Sequence, residues 1–142
     1  MAGGGDRAPI VITHEGALKF GAQIRSHSIV VDQPLAAGGE DAGPMPIELL
    51  GASLGTCIAL YVQQFCQSRG LAYEGMRVEV EQRSARNPSR IREFVVRVML
   101  PVELPDQYAA LLKRVAASCP AHNTLAMGAN VNVQIETPAA VA

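Results

Sequence analysis

A chain of 142 residues with 49% hydrophobic and 18% charged residues has the size and composition of one globular domain, residues 1–142, not of a disordered or fibrous protein. A net charge of −1 excludes the overall electrostatic footprint of a nucleic-acid binder. With aromatic residues at 4% and no Trp, the core has to be aliphatic.

The first element is Ile10–Thr13, apolar and β-branched, after a Gly-rich polar start with no apolar segment of the secretory kind. Met1–Pro9 and Pro138–Ala142 read as flexible ends. Leu18, Phe20, Ala22 and Ile24 alternate with Lys19, Gly21 and Gln23, the period of a half-buried strand. Ser28–Asp32 is a third strand, and the Gly- and Pro-rich stretch Pro34–Pro46 is a loop. Gly38-Gly39 in that loop is no phosphate cradle, because Glu40 and Asp41 follow and would repel phosphate.

Pro46 then opens a helix, with Glu48 suited to the positive end of the helix dipole, and the pattern runs to Arg69 with Gly70 just past the end. Leu50, Leu54, Cys57, Ile58, Tyr61 and Phe65 recur at helical spacing, while Leu49, Ala52, Ala59, Leu60 and Val62 fill most other faces. Such a helix has to be buried on nearly all sides, which calls for surrounding sheet and a second subunit. Its apolar run, Ile47–Val62, is short for a membrane span. Two strands around Val78–Val80 and Phe94–Val98 form a hairpin whose tip carries Arg83, Arg86, Arg90 and Arg92, a solvated cluster diluted by Glu79, Glu81 and Glu93. Pro105-Asp106 begins an amphipathic helix with the stripe Tyr108, Leu111, Leu112, Val115 and Ala116. A short helix starts at Pro120 and stops at Gly128. Val131, Val133 and Ile135 then alternate with Asn130, Asn132, Gln134 and Glu136 as a closing strand.

Chemistry can reside in three cysteines. Their odd number and the lack of a secretory segment fit the cytoplasm, where a disulfide is more often catalytic than structural. Cys57 sits mid-helix; Cys66 follows about 2.5 turns on, at ~3.6 residues per turn, and faces the other way. Cys119 precedes Pro120 at a helix start, where unpaired peptide N–H groups favour a thiolate. Physical chemistry alone therefore ranks Cys119 above Cys57 as the reactive thiol. His122 can face Cys119 across one helical turn or serve local capping and packing. No spacing indicates a metal site or a cofactor, since Cys119-x-x-His122 supplies only two ligands.

The segment Pro46-Ile-Glu-Leu-Leu-Gly-Ala-Ser-Leu-Gly-Thr-Cys57 resembles the central helix of the OsmC/Ohr family, the osmotically inducible and organic hydroperoxide resistance proteins. Cys119-Pro-Ala-His-Asn-Thr-Leu125 resembles the family's second cysteine motif. Arg25-x-His27, Val31-Asp32-Gln33-Pro34, Gly38-Gly39 and Gly43-Pro44 resemble the approach to the helix in the OsmC-like branch. The resemblance runs from about Ile10 to Glu136. It implies an α+β fold with antiparallel sheets around a long central helix, assembled as an intertwined homodimer. It further implies thiol-dependent reduction of organic hydroperoxides or hydrogen peroxide, with a lipoyl-type or other dithiol as reductant.

By position, the resemblance makes Cys57 the attacking thiol and Cys119 the resolving one, reversing the order from physics alone. A thiol in an apolar site ionises poorly without a cation nearby. Arg25 is the candidate, against the alternative of an ordinary strand-end cation. In the Ohr branch a Glu holds that Arg; here its position is Ile47 and the acid is Glu48, ~100° further around the helix. Glu48 is thus either the partner of Arg25 in the site or a residue serving the helix start.

Overall fold

The computed structural model describes residues 5–139. The flexible ends expected at Met1–Pro9 and Pro138–Ala142 fall partly outside that range. In chain order the elements are β1 (Val11–Gly16), β2 (Lys19–Ile24), β3 (His27–Val31), a single 3-10 turn at Leu35–Ala37, α1 (Pro46–Ser68), β4 (Arg77–Ala85), β5 (Arg90–Met99), α2 (Asp106–Ala116) and α3 (Pro120–Met127). Contacts group them into two compact units, one of Met1–Ser53 with Val80–Val96, the other of Leu54–Glu79 with Arg97–Ala142.

In the first unit, β1, β2 and β3 form an antiparallel meander. Ala22 pairs with Ile12 on one side and Ile29 on the other, and is the buried residue of the sheet. The β2–β3 turn is two residues long, since Ile24 pairs with His27. Its first residue, Arg25, takes φ +54°, a left-handed conformation uncommon outside glycine. Gln23 Nε2 donates to the Arg25 carbonyl at 2.7 Å, and Ser28 Oγ donates to Gln23 Oε1 at 2.7 Å, bracing the turn from both strands.

The loop after β3 is organised by one carboxylate. Asp32 is buried, and its two oxygens accept the N–H groups of Gln33 (2.7 Å), Glu40 (3.1 Å) and Ala42 (3.1 Å). Those three bonds hold the Asp32 carboxyl below its usual range, with the Ala42 bond the largest cause and the Gln33 bond next. Gly39 is required here: a Cβ would run into the Gln33 carbonyl oxygen. The loop delivers the chain to α1, whose first turns pack on β4. Gln82 Nε2 donates to the Ile47 carbonyl at 2.7 Å, and its side chain lies so close to Gly51 that a Cβ there would meet it at 2.9 Å.

In the second unit the remainder of α1 supplies a stripe of Leu54, Ile58, Val62, Phe65 and Cys66, all buried. Burying a side chain such as Val62 or Phe65 stabilises by at most about 1.5–3 kcal/mol. Arg69 lies 3.9 Å over the Phe65 ring, and Phe65 meets Tyr108 of α2 edge-on at 5.8 Å. A surface cation–π contact of about 0.5–1 kcal/mol is secondary to that burial. The helix ends in a Schellman closure: Gly70 at φ +65° donates to Gln67, and Leu71 donates to Cys66.

Three expectations change. α1 is buried along one face, not nearly all round; Ile47, Leu50 and Leu60 are 39%, 40% and 49% exposed because this one chain covers only one side. The whole helix has 23 residues, so by length and composition it is long and apolar enough to cross a membrane, although the apolar run alone suggested otherwise. The buried stripe gives it the character of a core helix. Finally, 130–136 forms no strand, and Val131, Val133 and Ile135 are 86%, 74% and 82% exposed. Alternation fits a segment for a sheet, but a strand exists only where a neighbouring strand takes its hydrogen bonds.

Candidate active site

Two of the four expected site residues come together in the second unit. Cys57 is half-buried at the margin of the α1 stripe, and Cys119 is fully buried at the start of α3; neither is in a disulfide. Their thiols are close enough for the Cys57 thiol to influence the ionisation of Cys119. Cys119 is the N-cap of α3, extended at φ −68° and ψ 150°, with Pro120 at the first helical position. Its Sγ accepts the His122 N–H at 3.3 Å. Cys66 sits within the stripe of α1; at ~100° per residue it lies about 180° from Cys57.

The helix start does not lower the Cys119 thiol. Burial is the largest influence and pushes the Cys119 thiol above its ordinary value; the His122 N–H opposes it, while the adjacent Cys57 thiol adds to it. Desolvation wins because the sulfur is sealed from water, whereas two N–H groups offset only part of the loss of hydration. Solvent meets Cys57 first. Cys66 is likewise pushed up by burial, against the weaker effect of Arg69.

The other two expected residues belong to the first unit. Arg25 lines a cavity of about 400 Å³ together with Arg7, Ala8, Ile10 and Ile24. The Glu48 carboxylate accepts the Met45 N–H at 2.8 Å and so serves the start of α1. Among the described residues no ion pair joins Glu48 to Arg25. The hairpin arginines behave as solvated charge: Arg83 bridges Glu81 and Glu93, each at 2.9 Å, and Arg90 donates to the Pro88 carbonyl at 3.0 Å.

Two residues gain roles that sequence reasoning did not assign. Asp32 anchors the loop leading to α1; its signal was an acid closing an apolar strand just before a Gly- and Pro-rich stretch. His122 was placed near Cys119 by spacing, but nothing in the sequence disclosed that its Nδ1 is buried without a hydrogen-bond partner. Among the described residues no group of three or more His, Cys, Asp or Glu side chains is placed to hold a metal ion.

A family model described as OsmC-like protein matches residues 38–136. Among solved structures, the chain is similar to a protein from Psychrobacter arcticus 273-4 assigned to the osmotic stress induced and detoxification response, with 22% identity over 84% of this chain and 89% of that one, at a TM-score of 0.76. It is similar also to an OsmC like protein from Mycoplasma pneumoniae, with 19% identity over 85% and 88% of the two chains and a TM-score of 0.71. An organic hydroperoxide resistance protein OsmC from Legionella pneumophila gives 17% identity over 83% and 89%, with a TM-score of 0.54. No curated protein matches. These likenesses fix the fold: antiparallel sheets and a long helix in the OsmC-like arrangement.

Proposed function

The chain belongs to the OsmC-like protein family, and on that premise we propose that it is a thiol-dependent peroxidase acting on organic hydroperoxides and, with them, hydrogen peroxide. The observation that carries the reading is that a half-buried Cys57 neighbours a sealed Cys119 closely enough to influence its ionisation. In this reaction the Cys57 thiolate attacks the distal peroxide oxygen, the O–O bond breaks, and an alcohol or water departs. Cys57 becomes a sulfenic acid. Cys119 then condenses with it, giving the Cys57–Cys119 disulfide and water. A dithiol reductant, lipoyl-type or other, returns both thiols by exchange.

The proposal keeps Arg25 as the cation favouring the Cys57 thiolate, because a guanidinium stays charged and can also donate to a peroxide oxygen. Glu48 is given to the helix start, in accordance with its bond to Met45 N–H. The proposal also includes a homodimer, supported by the open face of α1 and the exposed apolar alternation at Val131, Val133 and Ile135. A cytoplasmic setting goes with it, since this chemistry needs thiols that are kept reduced.

Purified protein should consume cumene hydroperoxide in the presence of a dithiol, and Cys57→Ser should abolish this. Full activity in that variant would sink the proposal. A second reading, a one-turnover redox sensor, is favoured by the commitment of Glu48 to Met45 instead of to Arg25. It predicts a stable disulfide after one equivalent of peroxide and negligible further turnover with any dithiol.

A further inference from the structure

Arg7 and Arg25 line an apolar hollow that no carboxylate shares. The cavity, of about 400 Å³ and within the first unit, is walled by Arg7, Ala8, Ile10, Ile24 and Arg25, with no Asp or Glu among them. Among the described residues neither guanidinium is in an ion pair. Pockets that take small molecules span about 300–1,000 Å³, and this one falls in that range. Ile10 is 59% exposed, apolar surface that a ligand would cover. The turn points the same way. Arg25 is the first central residue of the two-residue β2–β3 turn and sits at φ +54°. A hairpin turn with positive φ at that place favours Gly. An Arg there, braced by Gln23 and Ser28, points to a use for its side chain. Activation of Cys57 would use Arg25 alone and leaves Arg7 and the apolar walls without a role.

We propose that this cavity binds a small organic carboxylate, its head held by Arg7 and Arg25 and its hydrocarbon body against Ala8, Ile10 and Ile24. The planar fork of a guanidinium matches a carboxylate through parallel N–H···O bonds, and two such cations serve both oxygens. Free phosphate would satisfy the same charges but gain nothing from the isoleucines, whereas every CH₂ of a carboxylate's body gains by burial. An alcohol of the same length would gain from the walls and leave the two positive charges unmatched. Only a ligand with both parts uses the whole lining. The site lies within the first unit and requires neither Cys57 nor Cys119, so it stands without the peroxidase reading, although Arg25 is common to both.

Isothermal titration of the whole protein with hexanoate tests this, with acetate, hexanol and inorganic phosphate as comparison ligands. Hexanoate should bind saturably, at least about 10-fold more tightly than each of the other three. Its affinity should fall as salt rises, because the charges are exposed. Arg7→Gln should weaken hexanoate about 10-fold, the usual worth of a hydrogen bond to a charged group. Arg25→Gly should do the same while suiting the left-handed turn, so a loss there is not a failure to fold. Arg90→Gln, at the β4–β5 hairpin tip and outside the cavity, should bind as the wild type does. Hexanol binding as tightly as hexanoate overturns the inference in favour of a plain apolar patch. Acetate or phosphate doing so overturns it in favour of general anion attraction. No saturable binding, no loss in Arg7→Gln, or an equal loss in Arg90→Gln overturns it as well. Cys57→Ser should bind hexanoate like the wild type while losing peroxide consumption, so a failure of this site and a failure of the peroxidase reading are told apart.

Discussion

Cys57 and Cys119 are neighbouring thiols, yet of the two only Cys57 is open to solvent. The proposed order of the two sulfurs rests on this asymmetry, which neither residue carries alone. In the proposed peroxidase reaction, a peroxide arriving from solvent would meet the half-buried thiol, and the sealed one would react with what Cys57 has become. Burial is the largest influence on the Cys119 thiol and pushes it up.

The first prediction follows from that order. Cys57→Ser should lose peroxide consumption entirely. Cys119→Ser should keep the first peroxide equivalent, accumulate a Cys57 sulfenic acid that a trapping reagent captures, and lose at least about 100-fold in dithiol-supported turnover, the scale lost with a group that acts in the chemistry itself. Stopped-flow peroxide decay with mass spectrometry of the trapped adduct checks both. Equal first-equivalent rates in Cys57→Ser and wild type would reverse the order.

Cys66 tests the opposite side of α1. It lies about half a helical circumference from Cys57, so Cys66→Val should leave peroxide turnover within about twofold, as expected of sites that do not share partners. The buried thiol has a different consequence. Its ionisation is raised by burial, so its contribution to stability is complete below the ordinary thiol value of 9.0 and is lost as pH rises through the raised one. Cys119 carries the same sign. The melting temperature of the reduced protein should therefore fall as pH climbs beyond 9.0, and Cys66→Val should fall less steeply. Identical slopes would remove Cys66 as a cause.

Asp32 governs the acid side. Its carboxyl is held low, first by the Ala42 N–H and then by the Gln33 N–H, so the stability it confers is present above 3.8 and drains as pH falls through the depressed value. Asp32→Asn puts an amide NH₂ against at least one of three backbone donors. It should lower the denaturation midpoint at neutral pH and flatten its fall below about pH 4. Gly39→Ala should be similarly damaging, through collision with the Gln33 carbonyl, but should leave the acid dependence in place. Urea titrations from pH 2 to 7 distinguish the two variants.

Local signals gave reliable guidance wherever local physics decides. Pro46 and Glu48 mark the start of α1, Gly70 its left-handed end, and Pro120 and Gly128 the limits of α3, because caps act within a turn or two. The meeting of Cys57 with Cys119 was not legible from spacing, since it depends on how α1 and α3 pack. The resemblance supplied that pairing. Burial raises the Cys119 thiol, an effect the chain does not disclose, because a helix start is visible in sequence and desolvation is not. The buried, unpaired Nδ1 of His122 was hidden for the same reason.

The segment after α3 carries the remaining prediction. Val131, Val133 and Ile135 have strand periodicity but no strand to pair with, and all three are at least 74% exposed. Burying one such side chain is worth about 1.5–3 kcal/mol, and every 1.4 kcal/mol is a tenfold change in affinity. In the proposed homodimer these residues complete an interface. Val133→Asp should then weaken self-association by about 10- to 100-fold, seen as a shift from dimer to monomer in sedimentation velocity at micromolar concentration. Asn132→Asp adds the same charge on the alternate face of the segment and should leave the dimer intact. Equal effects from the two substitutions would show general charge repulsion instead of a sided contact. A wild-type protein that sediments as a monomer throughout would end the dimer proposal, while leaving the Cys57–Cys119 chemistry to be judged on its own assays.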